Sequence, residues 1–415
     1  MFLSFSNCKP HQQRNTAMSD VKNLHIGQIT SFYIPPVTLV GSVSCKQIPD
    51  RLACRDAKYP LIVTDQGIVA CGILKTITDI LDAANVQYAI YDKTIPNPTD
   101  KNVEEAFAIY KEKGCDSLLT LGGGSSHDCG KGVGFLVANG GKIHDYEGVD
   151  KSKNPFPPYV DVNTTAGTAS EMTRFCVITD TSRKVKMAIV DWRCTPGVAI
   201  DDPDLMMGMP AGLTAATGMD ALTHAVEAYV SIAATPMTDA CAEKAIEYIA
   251  RFLRRAVANG NDKEAREGMC YAQYLAGMAF NNASLGHVHA MAHQLGGFYD
   301  LPHGFCNAIL LPHVCEYNLI GARRRFRRIA RLLGENVDGL NLDDAALAAV
   351  KAIKRLASDV DIPSGIKALG DMFGKKVSMD DIPTMVANAQ KDACGLTNPR
   401  KMSDAAVTAI YCNAW

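Results

Sequence analysis

Aspartate and histidine residues recur in this chain at spacings that could hold a metal ion. Asp220 and His224 form an Asp-x-x-x-His pair in GMDALTHAVEAY, and His289 and His293 form a second pair in GHVHAMAHQLGGFYDLPHG. On a helix, positions i and i+4 share a face, so each pair can point at one place. One such pair alone would be typical of ordinary core or surface histidines, and two pairs favour a metal site.

A further histidine, His303, stands between Pro302 and Gly304. Gly296 and Gly297 are expected to break the helix that precedes it, so that the chain can return His303 to the neighbourhood of the first pair. Three imidazoles and one carboxylate suit Fe²⁺ or Zn²⁺ and leave room for a substrate oxygen. The spacing therefore predicts a metal centre that can act as a Lewis acid.

A glycine-rich turn follows the apolar run 117–121 (SLLTL) in the sequence GGGSSHDCGKG. Glycines let backbone N–H groups approach a pyrophosphate, and the N-terminus of the following helix adds positive potential. The dinucleotide signature GxGxxG is absent. From this turn alone, a phosphate cradle and a simple strand-to-helix turn are equally supported.

Two other segments favour the nucleotide interpretation. Asp65 ends an earlier strand, where its carboxylate can accept hydrogen bonds from a ribose and would repel a 2′-phosphate, so NAD is favoured over NADP. The segment 163–171 (NTTAGTASE) follows another strand and offers hydroxyl and backbone donors to phosphate or ribose. In the competing interpretation, its threonines only cap the next helix.

Composition and charge narrow the class of protein. The chain has 415 residues, 47% of them hydrophobic and 21% charged, which is typical of a globular protein of two domains. A net charge of −2 gives no electrostatic basis for binding nucleic acid or an anionic membrane, and no apolar run is long enough to span a bilayer. Fourteen cysteines without a CxxC pair indicate reduced thiols and a cytoplasmic location.

Alternating strands and helices characterise the first half of the chain. Helices are predicted at 72–84 and 102–113, and strands at 60–64, 88–91, 117–121, 159–162, 175–179, 185–190 and 198–200. This alternation predicts a parallel sheet with helices on both faces. From about residue 210 the sequence has long amphipathic segments, which predict an all-helical half. We therefore expect an extension at 1–28 that is disordered or, if Met18 is the true start, not translated over residues 1–17, then an α/β domain at 29–207 and an all-α domain at 208–415.

Four motifs together resemble the iron-containing (group III) alcohol dehydrogenase family: GGGSSHDCGKG, TTAGTASEMTRF, GMDALTHAVEAY and GHVHAMAHQLGGFYDLPHGFCNA. The similarity runs from about residue 30 to the C-terminus. It is strongest to members of the family that are 1,3-propanediol dehydrogenases, methanol dehydrogenases or lactaldehyde reductases. It implies an α/β dinucleotide-binding domain and an all-α metal-binding domain in the dehydroquinate synthase-like architecture, with the active site in the cleft between them.

The resemblance also implies roles for individual residues. The metal ligands fall on Asp220, His224, His289 and His303, with Fe²⁺ expected and Zn²⁺ as the second candidate. His293 matches a non-ligand histidine beside the nicotinamide and could relay a proton. The implied contacts to NAD are Asp65, Asn97, Gly123, Gly124, Ser125, Asp128, Thr164, Thr165, Thr168 and Lys186.

The substrate is expected to be a small primary alcohol or its aldehyde, and the protein is expected to be a homo-oligomer. Phe175 stands where some relatives have a smaller polar residue, and Phe280 precedes the histidine motif. Roles as pocket walls and as ordinary core aromatics are equally supported for both rings. Arg174 leaves open an anionic small aldehyde. Two competing functions are a metal- and NAD-dependent lyase of the dehydroquinate synthase type and a non-catalytic metal-binding protein.

Overall fold

The computed structural model describes residues 29–183 and 185–415, so the extension predicted at 1–28 lies outside the described residues. The first half holds the strands β1 (Val37–Val40), β2 (Pro60–Asp65), β3 (Ala89–Thr94), β4 (Ser117–Gly122), β5 (Gly148–Val149), β6 (Tyr159–Asn163), β7 (Phe175–Asp180), β8 (Val185–Val190) and β9 (Val198–Asp201). Its helices are α1 (Ile48–Ala53), α2 (Gln66–Ala70), α3 (Ile73–Ala83), α4 (Asp100–Lys113) and α5 (Gly124–Asn139).

The second half consists of helices. They are α6 (Ala211–Val230), α7 (Pro236–Ala258), α8 (Lys263–Ala283), α9 (His287–Tyr299), α10 (His303–Leu332), α11 (Leu342–Asp359), α12 (Ile366–Met372), α13 (Ile382–Ala389) and α14 (Asp404–Asn413). Short 3₁₀ helices lie at Ser44–Gln47, Ile143–Tyr146, Ser170–Met172, Trp192–Cys194, Pro203–Met206, Met379–Asp381 and Ala393–Thr397. The predicted fold class, a parallel α/β half followed by an all-α half, is confirmed. The division into domains at 207/208 stays a prediction.

A six-stranded sheet forms the centre of the first half, in the order β1-β9-β6-β4-β2-β3, and every pairing in it is parallel. Its central strands β4, β6 and β9 are buried along their whole length, because helices cover both faces. Parallel strands end at one edge of a sheet, and here Gly122 pairs with Asn163, which pairs with Asp201. The glycine turn after β4 and the threonine-rich loop after β6 are therefore neighbours.

Two of the predicted strands lie outside this sheet. β7 and β8 form an antiparallel pair, and with β5 they make a second, three-stranded sheet in the order β5-β8-β7. The short connection between β7 and β8 explains the pairing, since adjacent parallel strands need a crossover of a dozen residues or more. The alternating burial of β7 also differs from the continuous burial of a central parallel strand.

The largest hydrophobic cluster lies in the helical half and includes residues of α6, α8 and α10. Within the described residues, no helix combines the length and the apolar character that crossing a membrane requires. The cysteines of the described residues are all free thiols.

Candidate active site

The two predicted metal-binding motifs meet at one point. The middle of α6 carries Asp220 and His224, α9 carries His289 in its first turn, and α10 begins at His303. Asp220 Oδ1 lies 3.9 Å from His224 Nε2 and 3.8 Å from the Nε2 atoms of both His289 and His303. Three sequence-distant segments thus bring three imidazole nitrogens within 3.9 Å of one carboxylate oxygen. The ligand atoms of Asp220, His224 and His289 all lie within 4.8 Å of one another, and His303 adds a fourth donor on the side of Asp220.

The chemistry of this donor set suits a divalent cation. Ligand atoms that share a tetrahedral ion at about 2.1 Å lie roughly 3.4 Å from one another, close to the 3.8 to 3.9 Å that separates Asp220 Oδ1 from each of the three Nε2 atoms. Burial and the neighbouring imidazoles hold the pKa of His289 well below its ordinary value, and the same causes act on the pKa of His303. Both rings are therefore neutral near pH 7, with a lone pair available to a metal.

The expectation that Gly296 and Gly297 break the helix is wrong. Helix α9 continues through both glycines to Tyr299, and the chain reverses at Asp300, which adopts the left-handed conformation at φ 53°. Asp300 N donates to Gly296 O and closes the last turn. A helix tolerates glycine at a modest cost, so the pair does not end it, and the return of His303 depends instead on the Asp300 turn and Pro302.

Two buried residues that the sequence interpretation missed contact the ligands. Glu227 Oε2 lies 2.6 Å from His289 Nδ1, and Glu227 Oε1 accepts from Val288 N at 2.7 Å. Burial raises the pKa of Glu227 to about 7. Asn307 contacts Asp220, His289 and His303. Glu227 follows His224 by three positions and Asn307 follows His303 by four, so helical spacing could have indicated both.

Glu227 holds the ring of the predicted ligand His289 on the side away from Asp220. A histidine that binds a metal through Nε2 commonly donates its Nδ1–H to a carboxylate, which fixes the tautomer and the ring. Glu227 makes this contact to His289, while the backbone of Val288 holds the other carboxylate oxygen.

His293 lies beside the predicted ligands, but its ring contacts Asp392. Its ring centroid is 5.5 Å from that of His303 and 6.1 Å from that of His289, and its Nδ1 lies 2.7 Å from Asp392 Oδ2. Burial alone would raise the pKa of Asp392, but the adjacent His293 outweighs it and holds that pKa below the usual range. His293 thus lies next to the predicted ligands and is oriented by a carboxylate, and the non-ligand role that the resemblance implies for it stays a prediction.

The glycine turn and the threonine-rich loop face each other. A Cβ atom added at Gly123 would lie 3.0 Å from Thr165 Cγ2, and one at Gly124 would lie 3.2 Å from Thr168 Cγ2. Thr164 N donates to Gly122 O at 2.9 Å and joins the two loops. Gly124 and Ser125 open helix α5, whose first N–H groups have no acceptor within the helix. These contacts bring the predicted phosphate-binding residues together.

Asp65 and Asp128 flank this space and are already hydrogen-bonded to the protein. Asp65 caps α2 by accepting from Gly67 N and Ile68 N, and its second oxygen accepts from Ser126 Oγ at 3.0 Å. Asp128 is partly buried, desolvation raises its pKa, and it accepts from Ser170 Oγ and Val177 N. Asp65 therefore stands at the edge of the turn, whereas Asp128 holds the surrounding loops.

The two remaining predicted cofactor contacts form a separate group near α9. Lys186 Nζ donates to Asn97 Oδ1 at 2.8 Å, and Asn97 Nδ2 donates to Asp300 Oδ1 at 3.1 Å. Burial lowers the pKa of Lys186. A Cβ atom at Gly296 would lie 3.5 Å from Lys186 Nζ, so this pair links the small sheet to the helix that carries His289.

Phe175 and Phe280 border the metal centre. Their ring centroids are 5.9 Å apart, and the Phe280 ring stacks on His224 at 4.3 Å. Arg174 turns elsewhere: its guanidinium lies over the ring of Tyr33 and lines a cavity of about 320 Å³ with residues that include Thr235 and Asn282. None of the predicted metal ligands lines that cavity, so the geometry does not favour an anionic aldehyde held by Arg174.

A glycine turn of the kind that binds nucleotides and a cluster of four predicted metal ligands, within one α/β-plus-helical chain, are typical of a metal-dependent enzyme with a dinucleotide cofactor. The family model "Iron-containing alcohol dehydrogenase" matches residues 35–203, and "Fe-containing alcohol dehydrogenase family, C-terminal" matches residues 214–415. The chain belongs to the iron-containing alcohol dehydrogenase family. This membership decides against a lyase and against a non-catalytic metal-binding protein.

Individual relatives agree over nearly the whole length. The chain is 50% identical over 386 residues to the 1,3-propanediol dehydrogenase of Klebsiella pneumoniae, covering 92% of this chain and 98% of that protein. It is 47% identical to the NAD-dependent methanol dehydrogenase of Bacillus methanolicus, covering 93% and 100%. A crystal structure of 1,3-propanediol oxidoreductase is 49% identical and superposes with a TM-score of 0.91, covering 94% and 100%.

Proposed function

We propose that this chain interconverts short primary alcohols and their aldehydes, with Asp220, His224, His289 and His303 holding the metal. As a member of its family, the chain is a metal-dependent, NAD-linked alcohol dehydrogenase and aldehyde reductase whose cofactors are NAD and Fe²⁺. The single observation that supports the ligand assignment best is the position of Asp220 Oδ1, 3.8 to 3.9 Å from three imidazole nitrogens.

Each group of residues has a defined task in this proposal. When bound, the cation supplies Lewis acidity to the substrate oxygen and the nicotinamide carries the hydride. The N–H groups at the start of α5 hold the pyrophosphate, and Asp65 holds the adenosine ribose. His293, oriented by Asp392, passes the alcohol proton towards solvent.

Short substrates are supported by the aromatic wall formed by Phe175 and Phe280. Phe280 stacks directly on His224, and Phe175 lies against Phe280, so apolar surface closes in on the metal centre from one side. Relatives are named for 1,3-propanediol and methanol, both small primary alcohols. We therefore propose C2 to C4 alcohols, 1,3-propanediol and lactaldehyde-like compounds as the substrate class. A cytoplasmic homo-oligomer completes the proposal, supported by the free thiols of the described residues and by the family resemblance.

The test is a substrate panel on enzyme of defined metal content. Protein loaded anaerobically with Fe²⁺ is mixed with NADH and a series of aldehydes, and the fall in nicotinamide absorbance is recorded. We expect turnover of short aldehydes with NADH and much less with NADPH. Absence of turnover across the panel in fully loaded protein contradicts the proposed substrate class.

A further inference from the structure

Asn307 is a buried amide among the proposed metal ligands. It lies in the first turns of α10, four positions after His303, and its side chain is fully buried. Asn307 Nδ2 lies 2.6 Å from Asp220 Oδ1, 3.0 Å from His303 Nε2 and 3.1 Å from His289 Nε2. One amide nitrogen thus reaches three of the four proposed ligand atoms, and these come from three different helices.

A second asparagine on the same helix shows what a purely structural amide looks like. Asn318 is also buried and pairs reciprocally with Asn398, with each side-chain amide donating to the other's oxygen at 3.0 and 2.9 Å. Asn307 Oδ1, in contrast, is buried and has no hydrogen-bond partner among the described residues. A buried unpaired oxygen is unfavourable, so the contacts of Asn307 serve the ligand set rather than the packing of α10.

Counting lone pairs indicates which of the three contacts persists beside a cation. A neutral imidazole has one nitrogen lone pair, which a metal takes, whereas a carboxylate oxygen can accept from a donor and bind a metal together. The contacts to His289 and His303 compete with metal binding. The hydrogen bond from Asn307 Nδ2 to Asp220 Oδ1 does not compete with metal binding.

We propose that Asn307 is a positioning residue of the metal centre: its amide fixes the carboxylate of Asp220 so that Oδ1 faces the three imidazoles, and it thereby slows loss of the metal. This inference rests on the proposed function, because it requires the four-residue ligand set. Its readout is metal retention, which does not depend on which alcohol the enzyme uses.

The experiment compares Asn307→Leu with Asn318→Leu in full-length enzyme loaded with Fe²⁺ and then exposed to excess chelator. Removal of groups that orient metal ligands commonly costs 10- to 100-fold in metal affinity. We expect metal loss to be about 10- to 100-fold faster in Asn307→Leu and unchanged in Asn318→Leu, although that variant is less stable to urea. The cobalt-loaded enzyme should show an altered visible spectrum only for the change at Asn307.

Two further variants keep the outcomes distinct. Asn307→Ala replaces Asn307→Leu if the larger side chain prevents folding, and His289→Ala tests the ligand set itself. If His289→Ala loses its metal while folded Asn307 variants retain theirs like the unmodified enzyme, the role of Asn307 is refuted and the proposed function stands. If His289→Ala retains its metal, the ligand assignment fails, and this inference fails with it.

Discussion

In the predicted metal centre, side chains from three helices converge on one carboxylate oxygen. The glycine turn after β4 differs from it, because the proposed role of the turn requires that its residues have no side chains. The first region depends on the donor atoms of four proposed ligands, and removal of any one of them leaves a gap in the ligand set. The second depends on open space between Gly123, Gly124 and the threonines opposite them. Removing atoms should therefore damage the metal centre most, and adding atoms should damage the glycine turn most.

The largest effect is expected from His289→Ala. It removes one of four donor atoms, so bound metal and turnover should both fall, by on the order of a hundredfold or more in turnover. Elemental analysis and steady-state kinetics measure the two quantities. His313→Ala, a partly exposed histidine of α10 outside the cluster, is the matched control and should keep both. Full metal occupancy in His289→Ala contradicts the assignment.

The opposite change tests the glycine turn. Gly123→Ala places a methyl group 3.0 Å from Thr165 Cγ2, so the turn and the opposing loop must shift apart. Overpacking of this kind costs about 1–3 kcal/mol, and we expect NADH to bind roughly tenfold more weakly while metal content is unchanged. Gly208→Ala is the control, because a Cβ there meets no atom within 4 Å. Equal NADH affinity in the two variants, measured by fluorescence titration, counts against a cofactor site at this turn.

Cofactor choice depends on one charge at the edge of the turn. Asp65→Asn keeps an oxygen that can accept from Gly67 N and Ile68 N, but it removes the charge that would repel a 2′-phosphate. The preference for NAD over NADP should relax by about 1–3 kcal/mol, as measured by kcat/KM with both cofactors. Asp116→Asn removes a similar backbone-bonded carboxylate just before β4 and should leave the ratio unchanged. Equal efficiency with both cofactors in the unmodified enzyme refutes the role of Asp65.

A smaller effect on stability is expected at Asp392. Its folded-state pKa lies below the ordinary value of about 3.9, so its contribution to stability is present above that value and is lost as the pH falls through the folded-state pKa. Asp392→Asn should lower the free energy of unfolding by about 1–3 kcal/mol near neutral pH, and the difference should shrink below about pH 4. Urea titrations across this range measure it. Asp371→Asn, in an exposed pair with Lys367, should change little. If the stability difference caused by Asp392→Asn does not vary with pH, the contact between Asp392 and His293 is not its source.

The narrowest effect, confined to the choice among substrates, tests the aromatic wall. Phe175→Ala leaves space next to Phe280, and each extra methylene of substrate that this space accepts is worth about 1–3 kcal/mol. We expect the ratio of kcat/KM for hexanol to that for propanol to rise, with Phe298→Ala as an exposed aromatic control. A chain-length profile identical to that of the unmodified enzyme shows that Phe175 is a core residue.

The metal centre is more predictable from the sequence than its surroundings are. Asp220, His224 and His289 stand out because helical spacing and metal-binding residue types coincide within short segments. Glu227 and Asn307 have the same spacing, but glutamate and asparagine on a helix are so common that only the packing of α9 and α10 against α6 reveals their contacts. The turn at Asp300 escapes prediction because a left-handed aspartate has no strong sequence signal, while a pair of glycines suggests a break.

The arrangement of the predicted nucleotide-binding region is harder to deduce from the sequence, because it depends on contacts between distant segments. Strand order cannot be deduced from local patterns, yet it is the pairing of β4 with β6 that brings the glycine turn beside the threonine-rich loop. Asn97 and Lys186 are predicted only through family resemblance, since no local spacing relates residues that far apart. Their contact depends on the second sheet, which the alternation of strands and helices does not predict.

Because α6, α9 and α10 are joined through one cluster of donor atoms, an ion bound there is also a cross-link of the folded state. A ligand that binds only the native protein adds about 2.7 kcal/mol of stability at a free concentration one hundred times its dissociation constant. Metal bound by this cluster is therefore expected to stabilise the folded chain against unfolding as well as to support its turnover.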